Sequence, residues 1–150
     1  MQEQFMNLAF DEANKAFINN EVPIGAVIVK NGNIISLAHN NKESENCSLY
    51  HAELIAIKKA SEYLNNWRLD GCDIYITLDP CPMCASAIKQ SRISNVYSAL
   101  ENSDTNYKRI IEDILLKSDS VSPSVSFSSN LAVEKSKNIL NKFFKKQRNK

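Results

Sequence analysis

Glycine is scarce in this 150-residue chain. It occurs three times, at positions 25, 32 and 71, and not at all thereafter. Glycine reaches positive φ without steric cost, so its absence beyond residue 71 argues against tight positive-φ turns in the second half. No apolar run approaches the roughly 20 residues of a membrane-spanning helix. The longest, "IGAVIV", suits a buried strand. The opening "MQEQFMNLAF" lacks the basic start and apolar core of a secretory signal. Repeats and linker-like stretches are missing as well, so a single domain over 1–150 is the expectation. Histidine occurs twice and cysteine four times, at 47, 72, 81 and 84. These absences predict a cytoplasmic protein, where thiols stay reduced, and four cysteines then point to a metal or spare thiols ahead of disulfides.

What is present is ordinary in bulk and uneven in detail. Apolar residues at 43% and charged residues at 23% fit a globular chain with a real core. The formal net charge of +1 hides an asymmetry. Residues 131–150 carry seven Lys/Arg and one Glu, net +6, whereas residues 1–130 carry 11 basic and 16 acidic side chains, net −5. An acidic body with a basic tail suits an anionic partner met at the C-terminus; a solvated helix face would look the same on charge alone.

Periodicity orders the chain. Residues 3–19 read as an amphipathic helix through Met6, Phe10, Ala13 and Phe17. Residues 22–40 read as a β-hairpin around Asn31-Gly32, since both central positions of a type I′ turn need positive φ. Residues 51–64 form a second helix, with Leu54, Ile55, Ile57 and Leu64 expected on its buried face. "CDIYITL" is apolar nearly throughout and predicts a central strand. A helix over 81–91, a strand over 93–100 and a helix over 105–117 follow. The Ser-rich 118–129 reads as a loop with a short strand around Val125–Phe127, and 131–150 as a basic helix and tail. This order predicts an α/β fold, a mixed sheet covered by helices in three layers.

Two helix starts carry the chemistry. Cys81-x-x-Cys84 alone is weakly specific, since zinc sites, redox pairs and chance share it. Its pairing with His51-x-Glu53 is far rarer. Positions two apart do not share a helix face, so His51 and Glu53 converge on one point only at a helix end. Helix N-termini favour negative charge and so favour thiolate, the form of cysteine that binds metal. His51, Cys81 and Cys84 supply three ligands and leave the fourth tetrahedral position of Zn²⁺ open for water, whose pKa falls to about 7 on the metal. Glu53 is then placed for general acid/base work. The competing arrangement adds Cys47, four residues before His51, to make a closed Cys₃His site without catalytic water. Cys72 reads as a buried thiol, and His39 as a non-ligand.

With "HAE" and "PCPMC" in view, the chain resembles the bacterial tRNA adenosine deaminases, a family of the zinc-dependent cytidine deaminase-like superfamily with a His-x-Glu…Pro-Cys-x-x-Cys signature. The likeness runs from "EVPIGAVIV" through "AHN", "HAELIAI", "NWRLDGCDIYITLDPCPMCASAI" and "SRI", then resumes faintly at "ILNKFFKKQR". It implies a three-layer α/β/α fold with a central mixed sheet of about five strands, one Zn²⁺ per subunit and a homodimer. It also implies hydrolytic deamination of adenosine to inosine at the wobble position of a tRNA anticodon stem-loop, with release of ammonia. Carried over by position, His51, Cys81 and Cys84 hold zinc, and Glu53 shuttles protons to the ring nitrogen beside C6 and to the departing amine. Asn40 contacts the nucleoside, and Ile24 with the backbone at Ala52 lines the base pocket. Lys142, Lys145, Lys146 and Arg148 suit RNA phosphates, while Phe143 or Phe144 packs or stacks; one of the two is expected in the core. A base held in an anticodon loop must be splayed out to enter such a pocket.

The chain departs from the family in two places. Asp79 stands where a glutamate is usual, a change expected to lie outside the chemistry. Ser98-Ala99-Leu100-Glu101 replaces a Gly-Ala-x-Asp stretch that leads into a Gly-rich loop, so this loop must take another path. That second departure keeps open a deaminase of a free base or nucleotide, such as guanine, cytosine or deoxycytidylate. A zinc-stapled binding module without catalysis is the third possibility, and it requires a closed site with Glu53 far from the metal.

Overall fold

A computed structural model describes residues 2–120 and 122–149. Its elements are α1 (Gln2–Ile18), β1 (Gly25–Lys30), β2 (Asn33–His39), α2 (Ala52–Leu64), β3 (Cys72–Ile76), α3 (Pro82–Gln90), β4 (Asn95–Ser98), α4 (Thr105–Leu116), β5 (Ser126–Ser128) and α5 (Val133–Arg148). The five strands lie in the order β2-β1-β3-β4-β5. β1 runs antiparallel to β2 and β3, whereas β3, β4 and β5 are mutually parallel, so the sheet is mixed as expected. No helix among the described residues is long and apolar enough to cross a membrane.

Side-chain alternation builds the three layers. Ala26 and Ile28 of β1, with Ile74 and Ile76 of β3, face a core completed by Ala52, Ala56 and Ala60 of α2, Ala85 and Ile88 of α3, and Ile111 and Leu115 of α4. Val27, Val29 and Tyr75 point the other way, onto Phe5, Met6, Ala9 and Phe10 of α1, with Ile139 of α5 alongside. Strands covered on both faces read as nearly unbroken apolar runs, which is why "IGAVIV" and "CDIYITL" show no polar alternation.

α2 differs from the expectation. Its fully buried residues are Ala52, Glu53, Ala56 and Ala60, while Ile55, Ile57 and Leu64 are only partly buried at the flanks of the core and Leu54 is half-buried. An alanine stripe at four-residue spacing lets the helix lie close to the sheet, and the larger side chains are pushed to either side of the contact. Phe17 likewise sits half-buried, edge-on to Phe143 with ring centroids 6.3 Å apart.

The hairpin turn has positive φ at Asn31 (51°) and Gly32 (77°), as its sequence predicts. Beyond Gly71 positive φ still occurs, at Asn130 (60°), a residue type that tolerates it better than most, and at Arg92 (64°), where no such tolerance applies. Gly25 is required for a different reason. A Cβ there would sit 1.9 Å from the Ala9 carbonyl oxygen and 2.7 Å from the Ala13 nitrogen, so the α1 backbone rests directly on this residue.

Candidate metal centre and its pocket

His51 and Cys81 hold equivalent places. Each is the extended residue immediately before a helix, His51 at φ −79°, ψ 148° before α2 and Cys81 at φ −71°, ψ 167° before α3. Neither side chain caps its own helix, so both are free to turn across the helix end. Pro82 opens α3, where a missing N–H costs nothing because no intrahelical partner exists for it. The His51 Nδ1 lies 3.7 Å from Cys81 Sγ and 3.5 Å from Cys84 Sγ.

The ligand atoms of His51, Cys81 and Cys84 all fall within 4.8 Å of one another, and among the described residues this is the cluster able to hold a metal. Cys47 is not part of it. α2 begins at Ala52, so Cys47 lies in the preceding loop rather than one helical turn above His51, and the closed Cys₃His arrangement is not assembled. His39 is also outside the cluster, with its Nδ1 3.1 Å from Glu12 Oε1. Cys72 is fully buried, and burial pushes its thiol pKa up.

Electrostatics prepare the cluster for a cation. A hydrogen bond from Cys84 is the largest influence on the Cys81 sulfur, with His51 adding to it; together they overcome burial and hold Cys81 down to about 4. Cys84, the partner that keeps the shared proton, is raised by the same contact and by burial. His51 is raised by its hydrogen bond to Cys81, against burial and against the nearby charge of Lys42. One imidazole nitrogen and two sulfurs, one already a thiolate near neutral pH, fit Zn²⁺, and no fourth donor joins them among the described residues. One Zn²⁺ per subunit suits this donor set.

Glu53 lies just inside α2 and is 4% exposed. Burial pushes its carboxyl up to about 7, and the negative Cys81 sulfur pushes the same way, while the backbone, His51 and Cys84 oppose. A carboxyl that titrates near neutral pH beside a metal cluster can both accept and return a proton.

A cavity of about 180 Å³ opens here, lined by Val22, Ile24, Asn40, Lys42, His51, Ala52 and Glu53. Asn40 is anchored through its backbone N–H to the Ile24 carbonyl (3.0 Å) and through Nδ2 to the Val22 carbonyl (3.3 Å). Its Oδ1 is buried and has no hydrogen-bond partner among the described residues. A buried acceptor left unmatched is costly unless something else supplies the donor. The structure thus brings together Asn40, Ile24, Ala52 and Glu53 at one end of the His51–Cys81–Cys84 cluster. Lys42 joins them without having been singled out in the sequence, where an exposed lysine two residues after "AHN" carries no signal of its own.

The departing residue Asp79 is also close. It is 5% exposed, and its two carboxylate oxygens accept from the Asn102 backbone N–H (3.2 Å) and the Ser129 hydroxyl (2.7 Å). Its own N–H donates to the Leu100 carbonyl (2.8 Å). Asp79 therefore ties the glycine-free loop after β4 and the Ser-rich segment to the strand end that leads into Cys81. In the tail, Phe143 is the core residue at 5% exposure and Phe144 is exposed.

Residues 1–100 match the family described as "Cytidine and deoxycytidylate deaminase zinc-binding region". The chain is similar to a tRNA-specific adenosine deaminase of Aquifex aeolicus, 40% identical over 99% of this chain and 97% of that protein. Among solved structures it resembles one from a study of A-to-I editing by tRNA:A34 deaminases at the wobble position, with a TM-score of 0.83 and 35% identity over 92% of this chain and 99% of the other. A guanine deaminase of Bacillus subtilis is also similar, with a TM-score of 0.65 and 33% identity over 84% and 83% of the two chains.

Proposed function

The chain belongs to the cytidine and deoxycytidylate deaminase zinc-binding family, and from that premise we propose that it converts adenosine to inosine at the tRNA wobble position, consuming water and releasing ammonia. The observation that carries this reading is the position of Glu53, a buried carboxyl that shares a cavity with His51 and lies beside the three-donor cluster. His51, Cys81 and Cys84 hold the zinc. Zinc, when bound, lowers the pKa of a water to about 7 and so provides a nucleophile at neutral pH.

The remaining work falls to the chain. Ile24 and the Ala52 backbone wall the base, and Asn40 Oδ1 accepts a donor from the nucleoside. Glu53 accepts a proton from the attacking water and delivers it to the ring nitrogen beside C6. The carboxylate, having given up that proton, takes a second one from the hydroxyl now on C6 and passes it to the amine. The C6 carbonyl forms as the C6–N bond breaks, and ammonia leaves. We read 1–150 as one deaminase domain acting as a cytoplasmic homodimer on the anticodon stem-loop. Exposed Leu49, Tyr50 and Met83 beside the metal helices support a protein contact there, and the basic face of α5 supports RNA.

The test replaces Glu53 with Ala and measures zinc content and inosine formation on an arginine tRNA, alongside ammonia release from guanine, cytosine and deoxycytidylate. The variant should keep about one zinc per chain and lose at least about 100-fold in rate. Activity retained by the variant removes Glu53 from the chemistry. Ammonia from a free base, with none from tRNA, shifts the assignment to the free-base deaminase.

A further inference from the structure

Resting on the RNA-deaminase reading, we propose that Lys42 grips the phosphodiester flanking the target nucleoside. Lys42 is the one lysine or arginine among the residues lining the 180 Å³ cavity, whose other walls are Val22, Ile24, Asn40, His51, Ala52 and Glu53. It is exposed, and among the described residues it forms no ion pair. An exposed cation lining the cavity that holds Glu53 lies where the backbone of a nucleotide whose base enters that cavity can reach it.

The loop that carries Lys42 is held from both sides. The Glu21 carboxylate, 1% exposed, accepts from the backbone N–H of Glu43 (2.9 Å), the backbone N–H of Ser44 (2.6 Å) and the Ser44 hydroxyl (2.8 Å). The Lys42 carbonyl accepts from the Cys47 N–H (3.0 Å), and Asn41 N–H donates to the Tyr50 carbonyl (3.0 Å). Of the acidic neighbours, Glu45 is engaged by the Asn41 side chain at 3.3 Å. A buried carboxylate satisfied by three donors holds the loop backbone next to Lys42 in place, so only the lysine side chain remains to be ordered on binding. This contact favours a nucleotide within a chain over a free base, which has no phosphate to offer.

The experiment measures inosine formation on an anticodon stem-loop with native phosphates and on two versions carrying a neutral methylphosphonate immediately 5′ or 3′ of the target adenosine. Wild type, Lys42→Ala and Lys42→Arg are compared, with zinc content checked in each. Lys42→Ala should lose about tenfold to hundredfold in kcat/KM, through KM and not kcat, and Lys42→Arg should recover most of it. One methylphosphonate should cost wild type a similar factor and cost Lys42→Ala nothing further. The slope of log affinity against log salt should fall by about 1 in Lys42→Ala. An unchanged KM in Lys42→Ala, or equal methylphosphonate losses in wild type and variant, overturns the assignment. Wild type that makes no inosine on the native stem-loop instead takes down the RNA-deaminase reading, and the role of Lys42 with it.

Discussion

A single methyl group added at Gly25 tests whether α1 is seated as closely as the structure has it. The Cβ of Gly25→Ala would lie 1.9 Å from the Ala9 carbonyl oxygen, 2.7 Å from the Ala13 nitrogen and 2.9 Å from the Glu12 Cβ, where ordinary contact begins at 3.4 Å. Two of the three obstacles are helix backbone, which cannot swing aside as a side-chain tip can. Overpacking typically costs about 1–3 kcal/mol, and here the upper end, about 3 kcal/mol, is expected. For a chain of this size that corresponds to a fall in Tm of about 6–12 °C. The damage should also reach the pocket. Gly25 follows Ile24, whose carbonyl holds Asn40, and the Gly25 carbonyl accepts from Thr77 N–H at 3.2 Å. Urea unfolding gives the stability loss, and inosine formation at a temperature where both proteins are folded gives the effect on the site. Gly32→Ala is the control, since its φ of 77° is strained for alanine but, its chain neighbours aside, no atom of the described residues lies within 4 Å of the added Cβ; about 1–2 kcal/mol is expected there without loss of activity in the folded protein. A Gly25→Ala protein within about 0.5 kcal/mol of wild type would refute the packing argument, because surface-like tolerance is incompatible with contact at that range.

Two further outcomes follow from the same geometry. Glu21 is buried, which alone would raise its carboxyl, but hydrogen bonds from Glu43 and Ser44 hold it below its ordinary value of 4.5. Its contribution is therefore complete above 4.5 and lost as pH falls through the lower folded value; the urea midpoint of Glu21→Gln should fall less than that of wild type between pH 6 and pH 3, and parallel curves contradict the clamp. Phe143 belongs to the core, so RNA binding by the tail is best tested without truncation. The triple change Lys145→Ala, Lys146→Ala, Arg148→Ala should weaken binding and lower the salt slope by about 2–3 while leaving Tm nearly unchanged; equal slopes identify this face as ordinary solvated surface.

The elements and the candidate metal centre could be read from sequence because each rests on short-range pattern. Asn31-Gly32 specifies its turn locally, the two apolar strands mark themselves as covered on both faces, and His51-x-Glu53 with Cys81-x-x-Cys84 makes sense only where two helix ends meet. The short strand near Val125–Phe127 was legible as well, and it runs over Ser126–Ser128. Which face of α2 is buried was not. Leu54, Ile55, Ile57 and Leu64 outrank alanine in hydrophobicity, but the distance between helix and sheet selects the small residues, and that distance is a property of the packed molecule.

The same division runs through the pocket. Sequence alone picked out His51, Cys81 and Cys84 as candidate donors with Cys47 as a possible fourth, along with the order of elements and the candidate proton carrier, because residue type and spacing along a helix are local facts. Tertiary structure decided what is near what across long gaps: Glu21 beneath residues 43 and 44, Asp79 between Asn102 and Ser129, and Lys42 lining the cavity. It also excluded Cys47 from the metal cluster by starting α2 at Ala52. Burial then set the charge states, since the carboxyl of Glu53 reaches about 7 only where the surrounding chain removes water from it.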